Sequence, residues 1–289
     1  MTWDYAETNQ FSNSTGSLNN LLDRQVKGFQ SLAPKGFGSA SQADAAIQEI
    51  TTNKIASTDP LYYDNICYAD LSDFFYIWLR YSMKPIFPNL FAMLVVPKNE
   101  ELVTSPYHHD SKEQAKAFFL TGMTQAMHRL TEQAHLEFPV TIYYAFKQSE
   151  TEREGTASTG WEIFLDAIIK AGFVLTGTWP MRTEQTAAMK TGTNALASSI
   201  VLVCRRRNEN APTATRSKFL NALKSELSIA LKHLQHGNIA PVDLAQAAIG
   251  PGMAICTRYS RVLDAQGKAL SVREALSLIN QTLDEVLAE

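Results

Sequence analysis

Long apolar runs are missing from this sequence. No stretch approaches the roughly 20 residues that a membrane helix requires, which excludes a bilayer-spanning segment of that kind. The amino-terminal Met1-Thr2-Trp3-Asp4-Tyr5 has neither the basic nor the apolar region of a signal peptide. Cysteine is also scarce. Cys67, Cys204 and Cys256 are odd in number and far apart, which argues against a disulfide framework and a zinc ligand set and predicts a reducing cytoplasm. An excess of one charge is absent too. A formal net charge of −3 excludes a strongly basic nucleic-acid coat protein, but it leaves room for a locally basic cleft.

What is present fits an ordinary globular protein. With 289 residues, 45% hydrophobic and 19% charged, the chain suffices for one large domain or for a domain with an appendage. Residues 1–40 are rich in Asn, Ser, Gly and Gln and read as loop with short helical turns over Leu21–Phe29. A brief strand over Lys54–Thr58 stops at Asp59-Pro60, which puts Asp59 at the carboxyl end of a sheet. The aromatic run Leu71–Arg80 predicts a buried helix, with Phe74, Phe75, Tyr76 and Trp78 in the core. Lys112–Ala134 has helical period, with Ala115, Phe118, Phe119, Met123 and Met127 on one face. Val140–Phe146 reads as a central strand, and Trp161–Lys170 as an amphipathic helix stopped by Gly172. Phe173–Trp179 reads as a strand ended by Pro180, and Ser198–Cys204 as another.

This alternation predicts an α/β sheet with helices on both faces and an antiparallel closing pair. The expected domains are a sheet-bearing half over residues 1–210 and a helical appendage over 211–289. The appendage would hold helices near Lys218–Leu234, Pro241–Ile249 and Val272–Leu287, without a clear strand.

The chemistry concentrates at Asp59-Pro60-Leu61-Tyr62. The exocyclic amine of adenine is a poor nucleophile, because its lone pair is delocalised into the ring. Two acceptors aimed at its N–H groups favour a pyramidal nitrogen with an available lone pair, and a carboxylate plus a backbone carbonyl on a rigid turn meet that need. An aromatic ring two residues on stacks against a base flipped out of the duplex. Asp59, Pro60 and Tyr62 supply side-chain acceptor, main-chain acceptor and stacking face in that order. Cytosine's amine is chemically similar, and the motif does not separate the two.

The four-residue motif resembles the Asp-Pro-Pro-Tyr signature of amino-methyltransferases acting on DNA. The wider run Thr58–Phe75 is similar to one family of large bacterial and archaeal adenine-specific DNA methylases. So are Tyr144-Ala145-Phe146-Lys147, Thr178-Trp179-Pro180-Met181-Arg182-Thr183-Glu184 and Asn194–Ser199. The resemblance implies a class I methyltransferase-like, Rossmann-type sheet and S-adenosylmethionine as cofactor. DNA is the implied substrate. It also assigns residues: Asp59, Pro60 and Tyr62 to catalysis and Asp44 to the cofactor's adenine; Tyr63, Asn65, Lys147 and Arg182 are the expected substrate contacts.

Two departures qualify it. Leu61 replaces the second proline, which loosens the restraint on residue 60 but keeps every reacting atom. No glycine-rich turn joins a strand to a helix; Gly36-Phe37-Gly38 is the nearest candidate, and no apolar strand precedes it. In the resembled family that turn lies upstream of the matching region. This implies a partial sheet lacking its early cofactor-binding strands, and a complementary N-terminal half as partner. A second reading is a non-catalytic methyltransferase-like remnant that binds DNA or that partner half.

Simpler roles compete for several residues. Either Tyr62 or Tyr63 is expected in core packing, and Asp64 and Asn65 serve equally as helix caps. His108-His109-Asp110 reads as a solvated loop rather than a metal site. Lys147, Arg182 and Arg205-Arg206-Arg207 are candidate phosphate contacts. Ser198 and Ser199 lack the Gly-x-Ser-x-Gly context of a hydrolase.

Overall fold

The computed structural model describes residues 9, 11–13, 16–32, 36–63, 67–105, 108–144, 159–182, 198–236 and 241–288, in two units, Met1–Ala43 and Asp44–Glu289. The first unit carries α1 (Leu18–Ser31), capped where the Ser17 hydroxyl accepts a hydrogen bond from the Asn20 amide. Leu21, Leu22, Val26 and Phe29 of α1 are exposed.

The second unit is mixed α/β. Its elements are β1 (Ser57–Thr58), α2 (Tyr68–Met83), α3 (Lys112–Gln133), β2 (Val140–Tyr144), α4 (Thr159–Lys170), β3 (Phe173–Arg182), β4 (Ser198–Arg206), β5 (Thr213–Thr215), α5 (Arg216–His236), α6 (Pro241–Thr257), β6 (Arg261–Leu263) and α7 (Val272–Ala288). Four strands form one sheet in the order β1-β2-β4-β3. β1 runs parallel to β2 through a crossover containing α2 and α3, whereas β4 is antiparallel to both β2 and β3.

Local chemistry explains the main elements. α3 starts where the Ser111 hydroxyl accepts from the Gln114 amide, with Glu113 in the first turn complementing the dipole. Its buried Ala115, Phe119, Met123, Ala126, Met127 and Leu130 recur at helical spacing. In β2, Val140, Ile142 and Tyr144 are buried and alternate with half-buried residues. β4 buries Ile200 to Cys204 without interruption. Successive strand residues face opposite sides, so both faces of the sheet are covered there. α4 ends at Gly172, whose φ of 89° is the left-handed conformation a helix stop requires.

Three expectations change. Pro180 does not end β3; the strand continues to Arg182, with Pro180 opposite Ile200. β3 is an edge strand, where a missing N–H is tolerated. Second, the region after residue 210 does contain strands, the short parallel pair β5 and β6. Its helices share one hydrophobic core with the sheet: Phe219, Leu223, Met253 and Ile279 cluster with Ile142, Phe164 and Leu202. The tie is polar as well, since the Leu175 amide of β3 donates to Thr257 Oγ1 at the end of α6, 3.0 Å away.

Third, α2 is not a buried helix. Phe74, Phe75 and Trp78 are 68%, 63% and 69% exposed, and Ala69 is its one buried residue. The polar side of α2 is held by its own chain instead. Asp73 accepts from the Val96 amide and from Lys98 Nζ, while Tyr76 Oη and Arg80 Nε both donate to the Met93 carbonyl. Among the described residues, no helix is long and apolar enough to cross a membrane.

Candidate active site

β1 is short because its last residue precedes Asp59-Pro60, and proline cannot donate to a strand ladder. Pairing with β2 anchors it: the Thr141 amide donates to the Ala56 carbonyl at 3.1 Å, and the Thr141 hydroxyl to Ser57 Oγ at 2.9 Å. Asp59 therefore leaves the carboxyl end of a fixed parallel strand, and its side chain is exposed. Tyr62 Oη lies 3.5 Å from Asp59 Oδ1 and donates towards it. The Tyr62 ring is half-buried and packs edge-on against Tyr144, with centroids 5.1 Å apart.

Tyr63 anchors the loop. Its amide donates to Tyr144 Oη at 3.3 Å, and its carbonyl accepts from both the amide and the hydroxyl of Thr104, at 2.9 and 2.6 Å. Its ring meets Phe119 of α3 edge-on at 5.2 Å. A Cβ added at Gly160 would lie 3.0 Å from Tyr63 Cβ, so α4 approaches the same residue closely. Tyr144 is fully buried and stacked on Phe164 at 3.9 Å, which makes it a rigid post. Both tyrosines thus touch the core, and Tyr63 is held the more firmly.

Sequence reading missed Thr104 and the role of Tyr144. Their positions, 41 and 81 residues from Tyr63, carry no local signal of that contact. It also missed the polar group at the start of α2. Cys67 gives no side-chain cap there, and Glu101 Oε1 instead accepts from the Ala69 amide at 3.0 Å. His108 Nε2 lies 3.2 Å from Asp70 Oδ2, so His108 is half-buried and paired instead of solvated. Thr58 Oγ1, Glu101 Oε2 and His108 Nδ1 are buried without a hydrogen-bond partner.

Strand register places a further predicted residue at the same end of the sheet. Thr58 lies opposite Ile142 in the parallel pair, Tyr144 opposite Ile200, and Arg182 opposite Ser198. The last residue of β3 and the first of β4 therefore lie at the end from which Asp59 emerges. At about 4.8 Å per strand, β3 stands roughly 15 Å across the sheet from β1. Asn65 and Lys147, like Asp64, lie outside the described residues.

Asp44 is not brought to this end. It caps its own turn, with Oδ1 accepting from the Ala46 amide at 2.8 Å. The adjoining Gln48 carbonyl accepts from Arg129 and Gln133 near the end of α3. Phe119, which carries Tyr63, is three to four turns earlier on that helix, so the two regions are roughly 15–20 Å apart. Ala46, Ile47, Gln125, His128, Arg129 and Glu132 line an open groove on the Asp44 side.

Among the described residues, no group of His, Cys, Asp and Glu could hold a metal ion. Among the described residues no glycine-rich turn joins a strand to a helix near Asp59, and Asp44 lies at a different part of α3. The assembled parts, an exposed carboxylate beside a half-buried aromatic ring on a clamped loop, are suited to holding and polarising a planar group with N–H donors. No family model, curated protein or solved structure matches the chain.

Proposed function

We propose that this chain supplies the amine-polarising side of a DNA adenine methyltransferase, with S-adenosylmethionine as the methyl donor. The observation that carries this reading is the exposed Asp59 at the end of a parallel strand, beside Tyr62, on a loop fixed through Tyr63. The carboxylate and the Pro60 carbonyl accept the two N–H bonds of the flipped base's amine, and Tyr62 stacks on the ring. Asp59 Oδ2 has no described partner and is the oxygen offered to the amine. The sheet supports the same reading, since two parallel strands followed by an antiparallel pair are compatible with the later half of such a fold. The cofactor provides the electrophilic methyl group. Its grip is assigned to a complementary half and not to the described residues.

The test is methylation of DNA by the chain together with a glycine-rich cofactor half, read as methylated adenine after digestion to nucleosides. Asp59→Ala should lower the rate by about 10²–10³, the usual loss for one aimed electrostatic group. Tyr62→Ala should weaken base capture by roughly 1–3 kcal/mol. Leu61→Pro should raise the rate by stiffening the turn. An Asp59→Ala protein as fast as its parent refutes the site.

A second reading follows from the absence of a glycine-rich strand-to-helix turn near Asp59 among the described residues: a non-catalytic module that binds DNA or a partner half. DNA binding that depends on Tyr62 in a chain inert under every combination would establish it.

A further inference from the structure

α2 is turned inside out. Its polar side, Asp73, Tyr76 and Arg80, is engaged by the chain's own residues Met93 to Lys98. The opposite arc, with Leu71, Phe74, Phe75, Ile77, Trp78 and Tyr81, faces away from that contact and is 48–91% exposed. On a helical wheel these six positions span less than half the circumference, so they make one continuous stripe. An aromatic side chain offers roughly 150–250 Å² when fully exposed. At the exposures observed, Tyr68 and the four aromatics of the stripe present roughly 500–850 Å², before the aliphatic residues are added. That lies at or above the top of the roughly 300–600 Å² patch of an ordinary monomer, and its upper end reaches the ~800 Å² that one partner gives to a stable interface.

Charge selects the occupant. Asp70 stands exposed in the first turn, with its Oδ2 beside His108 Nε2, and Lys84 stands exposed just past the last. An acidic start and a basic end on one helix attract a second copy of the same helix laid antiparallel, because each Asp70 then nears the other copy's Lys84. A nucleic acid or an anionic membrane is a poorer match. The stripe carries no cluster of basic residues, and Arg80 is already bound to the Met93 carbonyl. We propose that α2 is a self-association surface, through which two copies of this chain pair antiparallel about a two-fold axis. In that arrangement Phe74 packs near the partner's Trp78, and the contact is isologous.

The test is mass in solution, which does not depend on any methyl transfer. Sedimentation equilibrium should show the parent as a dimer. Trp78→Glu and Phe74→Glu should each weaken dimerisation by about tenfold or more. Leu136→Glu, at an exposed apolar position outside α2, should leave it unchanged. Asp70→Lys and Lys84→Glu should each weaken self-pairing, and mixing the two proteins should restore a dimer containing one of each. Circular dichroism confirms that each variant keeps its helix content. A parent monomeric at every concentration overturns the proposal, as does a Trp78→Glu protein that dimerises like its parent. A monomeric parent that binds anionic vesicles or duplex DNA, with the binding lost in Trp78→Glu, overturns it too, and gives the stripe to that partner.

Discussion

The loop that carries Asp59 is held on both sides of one residue, Tyr63, and this makes its rigidity measurable. Thr104→Val keeps the amide bond to the Tyr63 carbonyl and removes only the hydroxyl, which donates at 2.6 Å. Tyr144→Phe keeps the stacking on Phe164 and removes the acceptor of the Tyr63 amide. A neutral hydrogen bond contributes about 0.5–1.5 kcal/mol net, so each single change should cost about 1 kcal/mol. In a unit of this size that lowers the melting temperature by about 2–4 °C. The two bonds hold the two sides of one residue, so their losses should be non-additive. A double-mutant cycle by thermal unfolding should return a coupling energy of at least about 0.5 kcal/mol. Methyl transfer in the reconstituted enzyme should fall further than stability, because a displacement near 1 Å at a reacting group can cost on the order of 10² in rate. If both single variants and the double variant melt with the parent, Tyr63 is not the anchor described and the loop is positioned by something else.

Two further outcomes test the surrounding structure. Gly250 lies where α6 crosses β3, and an added Cβ would collide with Oγ1 and Cγ2 of Thr178 and lie 2.5 Å from its Cβ. Gly250→Ala should therefore destabilise by about 1–3 kcal/mol despite alanine's better helix propensity, and a rise in melting temperature would refute that close crossing. Asp73 titrates below its ordinary value of 3.8, because Lys98 and then the Val96 amide bond its charged form. A depressed carboxylate adds stability above its unfolded pKa and loses it as pH falls through the lower folded value. Hydrogen exchange at the Val96 amide should thus stay protected at neutral pH and lose protection, relative to its intrinsic rate, only below pH 3.8. Equal protection throughout would show that Asp73 is not the tether.

By itself the sequence determined the elements whose signals are local. Helical spacing from Ala115 to Met127 marked α3, the β-branched and aromatic run from Val140 marked β2, and the Gly172 stop bounded α4. The Asp-Pro step placed Asp59 at the end of a strand, because proline's missing N–H is a property of the residue and not of the fold. Tertiary structure decided the rest. The aromatic run of α2 has the composition of a core helix, but exposure depends on what packs against it, and residues Met93 to Lys98 of the same chain take the polar side. Pro180 remains within β3 only because that strand is at the sheet's edge, a matter of strand order that no local window contains. β5 and β6 are three residues each, too short for any period to register, and exist through their pairing. Asp44 and Asp59 stand close in sequence, yet contacts with opposite ends of one helix separate them. The clamp on Tyr63 joins residues 41 and 81 positions away, and only the folded chain brings such partners within hydrogen-bonding distance.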